Sequence, residues 1–135
     1  MIAILVADDD VFCRQTSHRL RLQGYEIIRY RDPVKLSDNI IELAPDLVVI
    51  NGQDFPLHWQ VLSAEISMLR RTDTTVIVAS SSLPQNFGQF EELKIMWFEY
   101  SGEIDKTIFR ACLDKASQFK KITVSNTASH NSAEN

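Results

Sequence analysis

Three stretches of this sequence carry side chains that could do chemistry, and each follows directly on a short apolar run. Asp8, Asp9 and Asp10 come after Ile2–Val6, Asn51 and Gly52 after Leu47–Ile50, and Ser80, Ser81 and Ser82 after Thr75–Ala79. Adjacent carboxylates repel, so two of them entering one crevice require a cation to offset them, and clustered oxygens suit a hard divalent ion such as Mg²⁺. An acidic triplet after a strand also suits a helix start, where negative charge in the first turn meets the positive end of the helix dipole. Asn51 contributes an amide, which is a poor nucleophile, and Ser80 contributes a hydroxyl. Asp54, three residues beyond Asn51, reads as a loop carboxylate. Asn51-Gly52 is also open to deamidation, because residue 52 has no side chain to obstruct ring closure by its own nitrogen.

Positioning these groups falls to an alternation of short apolar runs with longer amphipathic ones. Ile2–Val6 predicts a strand; Cys13, Ser17 and Leu20 then fall at helical spacing, and Gly24 ends that segment. Tyr25–Ile28 predicts a second strand, and Leu36, Ile40, Leu43 and Ala44 a second helix that Pro45 terminates. Leu47–Ile50 is a third strand, apolar on both faces, and Leu62, Ile66 and Leu69 mark the next helix. Thr75–Ala79 is rich in β-branched residues and predicts a fourth strand. A weaker helix is expected around Gln85–Leu93, a fifth strand over Ile95–Glu99, and a last helix with the stripe Ile104, Ile108, Cys112, Ala116 and Phe119.

Five solid apolar strands separated by helices imply an α/β fold, a parallel sheet covered on both faces. In such sheets the functional crevice lies beyond the carboxyl ends of the strands, where the three polar stretches stand. From Lys120 onward Ser, Thr, Asn and His dominate and periodicity stops, so residues 120–135 read as a flexible tail.

At 135 residues, with 44% hydrophobic and 24% charged, the chain suits one globular domain. A net charge of −4 gives no argument for nucleic acid. Cys13 and Cys112 lack metal-ligand spacing and read as small buried hydrophobes in a reducing cytosol. The opening Ile2–Ala7 is too short for a signal peptide, and no apolar run nears the roughly 18 residues of a membrane span, so a cytoplasmic protein is expected. Arg14, His18, Arg19, Arg21, Arg29 and Arg31 make the first third basic, which reads as a solvated helix face ahead of a partner-docking one. The chain has four glycines and no phosphate-cradling loop, and its serine run is not a nucleophile elbow, which disfavours an enzyme or nucleotide binder.

Ile4–Asp10 resembles the start of the receiver domain of bacterial response regulators, and Gly24–Ile28 its second strand. Pro45–Asn51 resembles its third strand except in the last residue, and Thr75–Ser81 its fourth. The resemblance implies a flavodoxin-like doubly wound sheet of five parallel strands in the order 2-1-3-4-5, with five helices, over residues 1–119. It implies an acidic pair, Asp8 and Asp9, that helps to hold Mg²⁺; a phosphoacceptor position, here Asn51; a switch hydroxyl, Ser80; and a lysine position, here Tyr100. Lys94 and Lys106 each lie six residues from Tyr100, too far for a small shift in alignment to restore the cation.

With amide in place of carboxylate and phenol in place of ammonium, aspartyl phosphorylation is expected to be absent. Mg²⁺ is expected to bind weakly at best through Asp8 and Asp9, with no other cofactor. The resemblance further implies an output surface, with Phe87, Phe90, Trp97 and Phe98 as candidates, although alternate residues of a central strand are core, and a core role for Trp97 or Phe98 reads ahead of a docking one. The expected protein is a non-catalytic pseudo-receiver module of a two-component or phosphorelay pathway. Its partner would be a signalling protein or a homodimer mate, not nucleic acid or membrane. The alternative is a switch phosphorylated on Asp54 or within Asp8–Asp10; a flavodoxin-like enzyme or nucleotide binder ranks third.

Overall fold

The structure is a computed structural model that describes residues 1–68, 74–81 and 95–118. Five strands, β1 (Ile2–Val6), β2 (Glu26–Tyr30), β3 (Leu47–Asn51), β4 (Thr75–Ser80) and β5 (Ile95–Glu99), form one sheet in the order β2-β1-β3-β4-β5. Every pairing is parallel. Four helices lie among the described residues: α1 (Asp10–Leu22), α2 (Pro33–Leu43), α3 (Trp59–Met68) and α4 (residues 106–118). The helix expected around Gln85–Leu93 and the tail from Lys120 fall outside the described residues, as do Leu69 and Phe119.

The three central strands read as continuous apolar runs because both of their faces are covered. Leu5, Val49, Ile77 and Phe98 point into one core with Phe12 and Leu20 of α1 and Phe109 and Leu113 of α4. Ile4, Val48, Ile50 and Val78 point into the other, with Leu36 and Ile40 of α2 and Trp59, Leu62 and Ile66 of α3. Truncating a fully buried Phe such as Phe109 would cost about 3–5 kcal/mol, the lost transfer energy plus an unfilled cavity.

The structure corrects the helix phases. In α1 the buried face is Phe12, Cys13, Thr16 and Leu20, and Ser17 is only half-buried. In α4 Phe109, Leu113 and Ala116 are buried with Cys112 beside them, whereas Ile108 is exposed. From Ile104 to Ala116 the expected stripe stepped by four residues each time, and each such step precesses by about 40° around a helix of 3.6 residues per turn. No single face carries that spacing over several turns, and the pattern that does mixes steps of three and four, as 109, 112, 113 and 116 do.

Helix ends follow local chemistry. Asp9 and Asp32 cap α1 and α2, their side chains accepting from the backbone N–H of Val11 and Val34. Gly24, at φ +90°, lets the chain leave α1 in the left-handed region, with Gly24 and Tyr25 donating back to Arg21 and Leu20. Strand β2 therefore begins at Glu26, one residue later than expected, and runs on to Tyr30. Helix α2 stops at Leu43, and Ala44 takes a left-handed conformation (φ 41°) ahead of Pro45, so Ala44 is outside the helix it was expected to join.

Candidate functional site

The carboxyl ends of β1, β3, β4 and β5 bring Asp8–Asp10, Asn51, Ser80 and Tyr100 to one edge of the sheet. Registers place Asn51 beside Ala79, and Ser80 beside Glu99.

The acidic triplet is divided between two tasks. Asp9 Oδ1 accepts from Val11 N at 2.8 Å and caps α1. Asp8 and Asp10 turn to two arginines at the end of β2. Arg31 bonds Asp8 Oδ1 at 3.0 Å and Asp10 Oδ1 at 3.2 Å, and Arg29 bonds Asp10 Oδ1 at 2.9 Å. Arg29 also donates to the carbonyls of Ala7 (3.2 Å) and Asp8 (2.8 Å), fastening the loop that follows β1. The Arg29 hydrogen bond and charge, with Arg31 beside them, hold the Asp10 carboxyl below the usual aspartate range. Asp8, by its hydrogen bond and charge, pushes the Arg31 guanidinium upward.

The cation that three adjacent carboxylates require is therefore present, and it is guanidinium. Among the described residues no group of three or more His, Cys, Asp or Glu is placed to hold a metal. With Asp8 on Arg31, Asp9 on a helix end and an amide at position 51, the donor set does not fit Mg²⁺.

Asp54 is not the solvated loop group that its position suggested. Its Oδ2 accepts from the backbone N–H of Asp8 at 2.8 Å and of Asp9 at 3.0 Å, which ties the loop after β3 to the loop after β1.

Asn51 is 1% exposed, and its Oδ1 accepts from Gln53 N at 3.0 Å, an Asx turn that fixes the side chain. Gly52 N donates to Ala79 O at 2.7 Å. That nitrogen is the one that would close the succinimide ring, so the fold holds the dipeptide away from deamidation. Glycine is needed at 52 for close approach: a Cβ would stand 2.9 Å from Ala79 O and 3.2 Å from Trp59 Cδ1. Gln53 Nε2 then reaches Tyr100 O at 2.6 Å, joining the ends of β3 and β5. Ser80 is buried at the end of β4, and its carbonyl accepts from Tyr100 N at 2.9 Å.

Tyr100 fills the position the resemblance gives to lysine, but as part of the core. It is 3% exposed and packs edge-on against Phe12, ring centroids 5.1 Å apart. Burial, and then the charges of Asp9 and Asp54, push its phenol pKa up. Among the described residues its buried hydroxyl has no hydrogen-bond partner. Of the described candidate docking aromatics, the structure removes Phe98 alone from the surface. Phe98 is 2% exposed and belongs to the core on the α1 and α4 side, while Trp97 is half-buried against the α2 and α3 side, because alternate residues of a covered strand face the two cores. Phe87 and Phe90 lie outside the described residues.

The sequence reading missed the roles of Arg29, Arg31 and Gln53. Arginines alternating at the end of the strand that pairs with β1 were the available signal: at a period of two, both side chains leave β2 on one face.

Comparison with known proteins bears on the fold and on kinship separately. A family model described as TP_0454_N, N-terminal domain, matches residues 1–98. An uncharacterized protein of Treponema pallidum (strain Nichols) is 46% identical over 63 residues, which is 47% of this chain and 28% of that relative's length. Among solved structures, the signal receiver domain of a modulated diguanylate cyclase from Desulfovibrio desulfuricans G20 superposes with a TM-score of 0.68 at 14% identity, covering 90% of this chain and 97% of that one. The Vibrio cholerae chemotaxis protein CheY4 superposes at 0.62 with 12% identity, covering 85% and 97%. These likenesses show that the chain has the receiver-domain fold.

Proposed function

We propose that this chain, which belongs to the TP_0454_N family of N-terminal domains, is a receiver-like signalling module that works by protein–protein contact and without aspartyl phosphorylation. One observation carries the reading. At the strand ends the phosphoacceptor position holds a buried amide, Asn51, and the arginines at the end of β2, Arg29 and Arg31, pair at the surface with Asp8 and Asp10. An amide does not attack phosphorus, and with Tyr100 buried against Phe12 no ammonium meets the transferring group at that position.

The partner is a signalling protein or a second copy of the chain; neither nucleic acid nor membrane is part of the proposal. No described helix is long and apolar enough to cross a membrane. The chain spans 28% of the length of the Treponema relative it matches, so in that protein the matching region is one part of a longer chain. The alternative acceptor Asp54 is poorly placed for attack, since one of its oxygens is already occupied by two backbone N–H bonds. Incubation with acetyl phosphate and Mg²⁺, followed by intact-mass measurement, is expected to show no adduct. An acid-labile single phosphate mapped to Asp54 or to Asp8–Asp10 would replace this reading with a phosphorelay switch.

A further inference from the structure

A second feature lies away from the crevice, between α1 and the turn that joins β5 to α4. A cleft of about 590 Å³ opens there, within the size range of small-ligand sites. One wall carries Arg14, His18 and Arg19 of α1, and the other carries Lys106 at the start of α4. Val11 and the buried Ile104 give it an apolar base, and Gln15 Oε1 accepts from Ile104 N at 3.4 Å across it.

The charge of this cleft is not compensated from within. Arg29 and Arg31, elsewhere on the same chain, are both consumed by Asp8 and Asp10. Among the described residues Arg14, Arg19 and Lys106 make no ion pair, and Glu103 is the single acid lining the cleft. A chain with net charge −4 thus gathers three fixed positive charges against one negative charge around a concavity. Concave walls focus that field, and guanidinium groups present forked donors that match phosphate and carboxylate oxygens. We propose that the cleft between α1 and the β5–α4 turn binds an anionic ligand bearing phosphate or carboxylate groups. Arg14 and Arg19 would hold the anion from one side and Lys106 from the other, with the apolar part of the ligand on Val11 and Ile104.

The test is calorimetric titration of the full chain, in low salt, with inorganic pyrophosphate in one arm and citrate in the other. Saturable binding of one of them, weakened at least tenfold by Arg14→Gln and by Lys106→Gln, is expected. The substitutions lie on different elements at exposed positions, so one local disturbance cannot produce both losses. Arg21→Gln and Arg110→Gln, exposed cations outside the cleft, should leave binding unchanged. The arm that binds more tightly identifies the ligand as phosphate- or carboxylate-bearing. No saturable binding in either arm, or equal weakening by the control substitutions, would overturn the proposal by showing only a diffuse positive surface.

Discussion

Asn51→Asp replaces a buried amide by a carboxylate of nearly the same shape, so the perturbation is a charge and the exchange of an NH₂ donor for an acceptor oxygen, with no change in bulk. The parent side chain is 1% exposed and keeps one oxygen on Gln53 N, and the new oxygen would meet a crevice whose guanidinium groups are already committed to Asp8 and Asp10. Full burial raises a carboxyl pKa by up to about 3–5 units; with one N–H bond retained, a rise of about 2–3 units is expected. At 1.36 kcal/mol per unit this destabilises the variant by about 3–4 kcal/mol at neutral pH.

The pH window follows from the direction of that shift. Position 51 would titrate near 3.9 in the unfolded chain and higher in the fold, so between those values the folded state binds more protons. The deficit relative to the parent is absent below about pH 4, grows as pH rises, and levels off above the folded pKa near 6–7. Urea denaturation of parent and variant at pH 4 and pH 8 measures it. Mg²⁺ should recover stability in the variant at pH 8 and leave the parent unchanged, because position 51 then supplies the missing anionic ligand. Equal deficits at both pH values would refute the reasoning, since the effect would then not be one of charge. A variant as stable as the parent at pH 8 without Mg²⁺ would show that a free cation already faces position 51. Adding Tyr100→Lys is expected to let the Asn51→Asp protein accept a phosphoryl group from acetyl phosphate, read by intact mass.

Tyr100→Phe should stabilise the protein by about 1 kcal/mol in thermal or urea unfolding, because it removes a buried hydroxyl with no partner among the described residues and keeps the edge contact with Phe12; a loss of stability would mean the hydroxyl is bonded. Gly52→Ala should destabilise by about 1–3 kcal/mol in urea, as the new Cβ meets a backbone carbonyl that cannot yield. Arg29→Met should return the Asp10 carboxyl toward its ordinary pKa in an NMR titration. A lowered folded pKa contributes stability that is present above the unfolded value and lost as pH falls through the folded one, so the variant should lose part of the parent's pH dependence on the acid side.

Much of this protein is local, and local features were legible in the residues. Leu47–Ile50 is apolar at every position because β3 is central and covered on both faces, and the run alone says so. Asn51 at its end, the acids after β1 and the serine after β4 follow from the same punctuation. Helix phase was less legible. Both Ile108 and Phe109 are apolar, and only the placement of α4 on the sheet decides that Phe109 is buried and Ile108 exposed. The state of the crevice was not legible at all. Arg29 and Arg31 read as surface charge until the strand order sets β2 beside β1, with Leu5 opposite Arg29, and brings both guanidinium groups to Asp8 and Asp10. Asp54 looks like a free loop carboxylate until the loops after β1 and β3 meet, and Tyr100 reads only as a missing lysine until Phe12 packs on it. Apolar runs and caps are written within a few neighbouring residues, whereas charge pairing depends on residues tens of positions apart that only parallel registration of the strands brings within hydrogen-bonding distance.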